Sequence, residues 1–161
     1  MTQVEGGGLV LLPGEGRQIV MGGFDISILG TAGVTGGAYS LVQTSEPRPG
    51  GGPPLHVHRD AAESFYVVAG QYTMHLAGQD FDCPAGSYVH IPAGMAHTFR
   101  VMEADSRKLN LYTPSAMEGY FEELGEAIDR GADEVVLNDI AERYEMEVVG
   151  PAPEGYLSQR E

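Results

Sequence analysis

Between residues 55 and 113 the chain falls into short apolar-alternating pieces at 64–68, 72–77, 80–82, 87–91, 97–102 and 108–113, each closed off by turn residues. Pieces of this length are too short for stable helices, and their period of two places alternate side chains on opposite faces. Such segments bury an apolar face only by pairing, so the spacing predicts an all-β sandwich or barrel. Upstream, 19–21, 24–29 and 38–44 continue the pattern, while Gly30–Gly37 and Pro47–Pro54 break it as loops. The 23 glycines among 161 residues suit a chain of tight turns. After Pro114 the period changes: Met117, Tyr120, Phe121, Leu124 and Ile128 line one face of a helix. Ser115-Ala116-Met117-Glu118 has the form of a capping box at its start. A second short helix is expected from Asn138 to about Glu145, with Gly150-Pro151 ending regular structure. One domain is expected, with an N-terminal arm at 1–18, a β-barrel at 19–114 and a helical extension at 115–161 packed on it.

The formal net charge is −14, with only nine Lys and Arg. A phosphate backbone needs cations to neutralise it and an anionic membrane repels acid, so neither nucleic acid nor membrane is expected as a partner. Residues 103–161 carry 15 Asp and Glu against five Lys and Arg, which reads as a solvated acidic face. Cys83 is the single cysteine, excluding an internal disulfide and a thiolate cluster; beside Pro84 it reads as a small apolar filler. The N-terminus has no basic region and the apolar run Leu9–Leu12 is too short to be a signal or a span. A cytoplasmic protein is the expectation. Gly6-Gly7-Gly8 and Gly50-Gly51-Gly52 lack the strand-to-helix setting of a phosphate loop.

The chemistry-bearing residues are histidines and one glutamate. On a strand, His56 and His58 of His56-Val57-His58 point to the same side. If the chain reverses over Arg59–Ala62, Glu63 returns to the same interior point, and His97 has the parity of the inward-reading Phe99 and Val101. Three imidazoles and one carboxylate suit Zn, Fe, Ni, Mn or Co better than Ca or Mg, which prefer all-oxygen cages. By spacing alone two readings stand, a metal site and a pair of histidines on an exposed strand. His75 and His90 alternate with apolar neighbours and read as surface or supporting residues.

Two longer patterns bear on the choice. Gly50, His56-Val57-His58, Glu63 and Gly70 match the first motif of the cupin superfamily in order and spacing, and Gly86, Pro92-Ala93-Gly94 and His97 match the second. The short stretch 71–85 between them resembles that of single-domain bacterial cupins. One position departs: Val101 stands where cupins often carry Asn. Gly52-Pro53-Pro54-Leu55, Phe65-Tyr66-Val67-Val68, Thr113-Pro114-Ser115, Met117-Glu118-Gly119-Tyr120-Phe121 and the segment Ala141–Pro151 look like the quercetin 2,3-dioxygenase-like cupins.

The resemblance implies a double-stranded β-helix, or jelly-roll barrel, with one or two short C-terminal helices. It implies that His56, His58, Glu63 and His97 hold one divalent transition metal ion per chain (Fe, Mn, Ni, Co or Zn), leaving positions for water, O2 or substrate. A homodimer is expected, with residues 1–18 available to cover a sheet edge. The activity implied is a metal-dependent dioxygenase acting on a flavonol-like or other small enolisable aromatic compound, with Glu63 doubling as catalytic base. The alternatives are a redox-neutral Zn isomerase or cyclase and a non-catalytic small-molecule-binding barrel. Parity suggests Phe65, Val67, Met95, Phe99, Leu109 and Leu111 as pocket walls, and Tyr39 or Tyr112 as hydrogen-bond donors.

Overall fold

The structure, a computed structural model, describes residues 2–21 and 24–151. In chain order the elements are β1 (Thr2–Gln3), β2 (Leu9–Val10), β3 (Arg17–Val20), β4 (Asp25–Gly30), the one-turn helix α1 (Ala32–Thr35), β5 (Ser40–Glu46), β6 (Leu55–His58), β7 (Ala62–Ala69), β8 (Gln71–Leu76), β9 (Gln79–Pro84), β10 (Tyr88–Ile91), β11 (His97–Val101) and β12 (Ser106–Thr113). Two helices, α2 (Glu118–Asp129) and α3 (Glu134–Arg143), and a last strand, β13 (Met146–Gly150), complete the described chain. The strands form a six-stranded sheet ordered β10-β7-β12-β5-β4-β3 and a five-stranded sheet ordered β13-β6-β11-β8-β9. The all-β jelly roll with C-terminal helices expected from the sequence is what the chain forms.

Two apolar clusters fill it. One joins the sheets through Phe65, Val67 and Ile91 on one side and Tyr72, Met74, Cys83 and Val101 on the other. In the second, Ile26, Ile28, Val42 and Tyr112 of the six-stranded sheet pack against Tyr120, Phe121 and Leu124 of α2 and Ile140 and Ala141 of α3. The helices thus close the barrel over its second cluster. Two glycines permit close approaches: a Cβ on Gly125 would meet Ile19 at 2.7 Å where α2 crosses β3, and one on Gly70 would meet Ser106 Oγ at 2.1 Å.

Several boundaries differ from the sequence reading. Residues 2–3 and 9–10 of the expected arm pair with each other, and the expected limit at residue 18 falls inside β3. Helix α2 begins at Glu118 rather than Ser115, with Met117 at a φ of 72° before it. The capping box does not close, because Ser115 N donates to the Gly37 carbonyl at 3.0 Å and Glu118 meets Ser115 only through its hydroxyl, at 3.3 Å. Glu118 Oε1 accepts from Ala32 N at 2.8 Å, at the start of α1, and Ser115 Oγ lies 3.1 Å from Ser40 Oγ. Helix α3 starts earlier than Asn138 because Asp133 caps it, accepting from Val136 N at 3.0 Å. Val135 and Val136 face solvent, which hides the first turn from an apolar-periodicity argument. Strand β13, unforeseen, pairs with β6 and covers its edge. Residues 152–161 of the expected extension lie outside the described residues.

Beneath the centre of the barrel, Lys108 is fully buried. Its Nζ donates to Thr44 Oγ1 at 2.7 Å and Glu46 Oε1 at 2.6 Å, and sits 3.9 Å from the Phe99 ring centroid. Tyr72 donates to Glu46 Oε2 at 2.5 Å. Burial pulls the Lys108 ammonium below its ordinary pKa, and Glu46 opposes that shift. Removing one member strands the other's charge in a dry interior, whereas removing both does not. Lys108→Ala is therefore expected to cost about 3–5 kcal/mol in denaturant unfolding. The double change Lys108→Met/Glu46→Met is expected to cost less, and an equal or larger loss would show that the pair's charge is not what the fold depends on.

Candidate metal centre

The register of the two sheets assembles the site. His56 and His58 lie two apart on β6 and face inward together, and His97 of β11 sits opposite His56 in the ladder. The turn after β6 reverses the chain, so that Glu63 enters from β7 in the other sheet. All four are buried, and one donor atom from each lies within 4.8 Å of every other. Glu63 Oε2 is 3.0 Å from both His58 Nε2 and His97 Nε2. The two sheets thus meet at a single carboxylate.

The ring orientations fit a ligand role. His56 Nδ1 donates to the Pro54 carbonyl at 2.8 Å and His97 Nδ1 to the Met95 carbonyl at 2.9 Å, which leaves each Nε2 lone pair pointing inward. Burial, then the neighbouring His97 and His58, push the His56 pKa down to about 3, so its imidazole is neutral at ordinary pH. Burial raises the proton affinity of Glu63, but the imidazoles of His58 and His97, each 3.0 Å from Oε2, outweigh it and hold the carboxyl well below its usual range. Three imidazole nitrogens around a buried carboxylate form an N3O donor set that favours a divalent transition ion. His56, His58, Glu63 and His97 would hold it.

Strand β12 supplies the supporting residues. Tyr112 is opposite Glu63 in the ladder and Asn110 opposite Phe65. Asn110 Nδ2 donates to Glu63 Oε1 at 3.1 Å. The Tyr112 ring is 5.4 Å from that of His58, and burial followed by the Glu63 carboxylate pushes its phenol well above the ordinary value, leaving a neutral hydrogen-bond donor beside Glu63. Asn110 is a site residue that the sequence reading missed.

The same strand corrects two pocket assignments. On β12 the inward residues are Ser106, Lys108, Asn110 and Tyr112, while Leu109 and Leu111 occupy the opposite, half-buried face. Apolar character marked the wrong side because the inward positions carry polar groups that serve Glu46 and Glu63. Tyr39 is likewise outside the site: Ser40, Val42, Thr44 and Glu46 point inward from β5, and Tyr39, of opposite parity, is 40% exposed.

Phe65 does approach the centre, its ring 6.5 Å from that of His97. Val67, Met95 and Phe99 belong to the apolar cluster beneath it. The cavity that reaches a member of the quartet has a volume of about 210 Å3 and is lined by His58, Asp60, Ala61, Pro114, Ser115, Ala116, Met117, Tyr144 and Glu145. His75 and His90 lie away from the quartet, bonded to Asp80 and Ser64 at 2.6 and 3.0 Å.

Comparison with known proteins agrees with this geometry. Residues 44–109 match the model of the cupin domain family. Over 117 residues, 73% of the chain, it is 29% identical to a quercetin 2,3-dioxygenase of Bacillus subtilis, of which it covers 34%. The fold matches KdgF from a Halomonas species (TM-score 0.60, 22% identity, 66% of this chain and 94% of that one). It also matches a predicted oxalate decarboxylase of Thermotoga maritima (TM-score 0.58, 22% identity, 66% and 99%). The chain carries a match to the cupin domain over residues 44–109, within the jelly-roll fold described above. It spans about a third of the curated dioxygenase, and the solved cupins establish fold alone. Among the described residues no helix is long and apolar enough to cross a membrane.

His58→Ala and His97→Ala are expected to lower metal content severely by elemental analysis, while His75→Ala and His90→Ala leave it near normal. Full metal retention by His97→Ala would mean that the donor set is wrong.

Proposed function

We propose that this protein is a metal-dependent dioxygenase acting on a flavonol-like or other small enolisable aromatic compound. The observation that carries the reading is the position of Glu63: a buried carboxylate gripped through Oε2 by two imidazoles, with Oε1 turned to the neutral amide of Asn110. The likeness to a quercetin 2,3-dioxygenase supports it. A bound divalent ion would supply Lewis acidity and, where redox-active, electrons for O2 chemistry. The chain's own part is to take the substrate's hydroxyl proton on Glu63 Oε1, to keep Tyr112 protonated as a donor beside that carboxylate, and to exclude water with Phe65, packed on His97, and Phe121, packed on Tyr112.

The test is oxygen uptake in the presence of a flavonol by protein reconstituted separately with Fe, Mn, Ni and Co. Uptake that is lost in Glu63→Gln is the expected result. Absence of uptake with all four metals removes the dioxygenase reading, and full occupancy by Zn as isolated then leaves redox-neutral Lewis-acid chemistry.

We also propose a cytoplasmic homodimer, paired through the outer face of the six-stranded sheet. Tyr66, Val68 and Tyr88 are 48%, 40% and 66% exposed there, beside half-buried Leu41, Leu109 and Leu111. In a chain of net charge −14 an apolar, nearly uncharged face is where two copies meet without repulsion. Sedimentation as a dimer that Tyr66→Glu disperses is expected; a monomer at all concentrations would overturn this.

A further inference from the structure

The six-stranded sheet ends on β3, whose outer edge pairs with no other strand among the described residues. Met21 N donates to the Phe24 carbonyl in the turn to β4, which sets the phase of the ladder: Arg17 and Ile19 bond to β4, and Gln18 and Val20 turn their N–H and C=O groups to the open edge. Such a row is a template for another strand unless charge, proline or a bulge guards it. At the ends of the five-stranded sheet, β9 carries Asp80, Asp82 and Pro84, and β13 is irregular between Val148 and Gly150. On β3 the one charge, Arg17, is drawn aside to Glu122 at 2.5 Å, and Val20 is 65% exposed.

A groove of about 290 Å3 follows all four residues of β3 and the side of α2 that carries Glu122, Gly125, Glu126 and Asp129. Gly125 lets the helix lie close, since a Cβ there would meet Ile19 at 2.7 Å. The three acids stand at i, i+4 and i+7 and so share one stripe of the helix. Glu122 holds Arg17 and Glu126 holds Arg130 at 2.8 Å, while Asp129 has no hydrogen bond or ion pair among the described residues. The stripe thus already receives one guanidinium from the strand across the groove.

The spacing restricts what fits. Acids four apart on a helix are about 6 Å apart along its axis, and alternate residues of a strand about 6.6 Å. An antiparallel strand added to β3 presents every second side chain to the stripe; those between lie on the opposite face, beside Gln18 and Val20. A second copy is disfavoured, because pairing β3 with β3 sets two acidic stripes against each other in a chain of net charge −14.

We infer that the groove between β3 and α2 is a docking site for an extended segment of another protein that alternates basic with β-branched residues. Its backbone extends the sheet at Gln18 and Val20, and its basic side chains meet Glu126 and Asp129. The inference is independent of the metal centre.

The test is fluorescence anisotropy of the full chain with a labelled peptide, Thr-Lys-Val-Lys-Val-Thr, beside the same peptide with Glu for Lys. The Lys peptide is expected to bind at least tenfold more tightly, and to weaken as salt rises. Antiparallel pairing turns the valine amides to β3 and the lysine amides to solvent, so N-methylation at both valines is expected to weaken binding at least tenfold and N-methylation at both lysines to leave it near normal. Val20→Pro removes an edge N–H without a ladder bond and is expected to weaken the peptide about tenfold. Glu126→Lys/Asp129→Lys is expected to do the same and serves if Val20→Pro does not fold. Equal binding of the Lys and Glu peptides, indifference to methylation at valine, or no binding would overturn the inference. So would a dimer that Val20→Pro disperses, since a second copy would then hold the edge.

Discussion

A buried carboxylate is the costliest group a small β-barrel can carry, and the interior of this protein is arranged around one. Glu63 is 2% exposed, so nearly all the hydration it would have in water must be replaced by protein groups. Those groups come from three other strands: His58 from β6, His97 from β11 and Asn110 from β12. Two of these strands belong to the opposite sheet, so satisfying Glu63 also fixes how the sheets face each other. A slip of one residue in the β7–β12 ladder would turn Asn110 and Tyr112 outward and leave the carboxylate without its supporting donor.

What surrounds the quartet follows from the same requirement. The centre lies between two apolar clusters, with Phe65 on the side of one and Tyr112 on the side of the other. The lower cluster has its own buried ion pair, Lys108 with Glu46, stacked on aromatic rings. The upper one exists because α2 and α3 lay apolar faces over the inner side of the six-stranded sheet. Low dielectric on both sides strengthens every interaction at the centre and equally raises the cost of any group left unpaired. His58 Nδ1 and Asn110 Oδ1 are such groups among the described residues, and both belong to the site.

The sheet architecture was legible in the sequence because it depends on period-two alternation; for the four candidate ligands spacing left two readings open, and the resemblance to the two cupin motifs chose between them. His56, His58, Glu63 and His97 share a point in space for the reason their parity suggests. Parity failed where the inward face is polar. On β12 the rule that apolar residues face the core selected Leu109 and Leu111, when Lys108, Asn110 and Tyr112 are the inward set. The fault lies in the hydrophobicity argument, since an inward strand that serves two buried carboxylates must present donors. The start of α2 was misread for a related reason: a capping-box pattern is local, but the Ser115 amide it needs is claimed by Gly37 across the fold. Strand β13 was hidden because its Val148 and Val149 blur the alternation, while its role as partner of β6 is visible only in three dimensions.

The two oxygens of Glu63 are not equivalent, and that asymmetry bears on whether the residue is a fixed ligand or a base. Oε2 is shared by two imidazoles whose nitrogens converge on it, which is the oxygen a metal ion would draw into its coordination shell. Oε1 accepts a neutral amide hydrogen bond from Asn110, an interaction of about 0.5–1.5 kcal/mol. Giving up that bond therefore costs Oε1 little, while withdrawing Oε2 would strand two buried imidazoles. Asn110 can follow the change, because an amide whose Oδ1 has no partner gains by rotating its acceptor toward a newly protonated Oε1. In the proposed reaction a carboxylate held in this way would serve as ligand through one atom and base through the other, without leaving its place in the barrel.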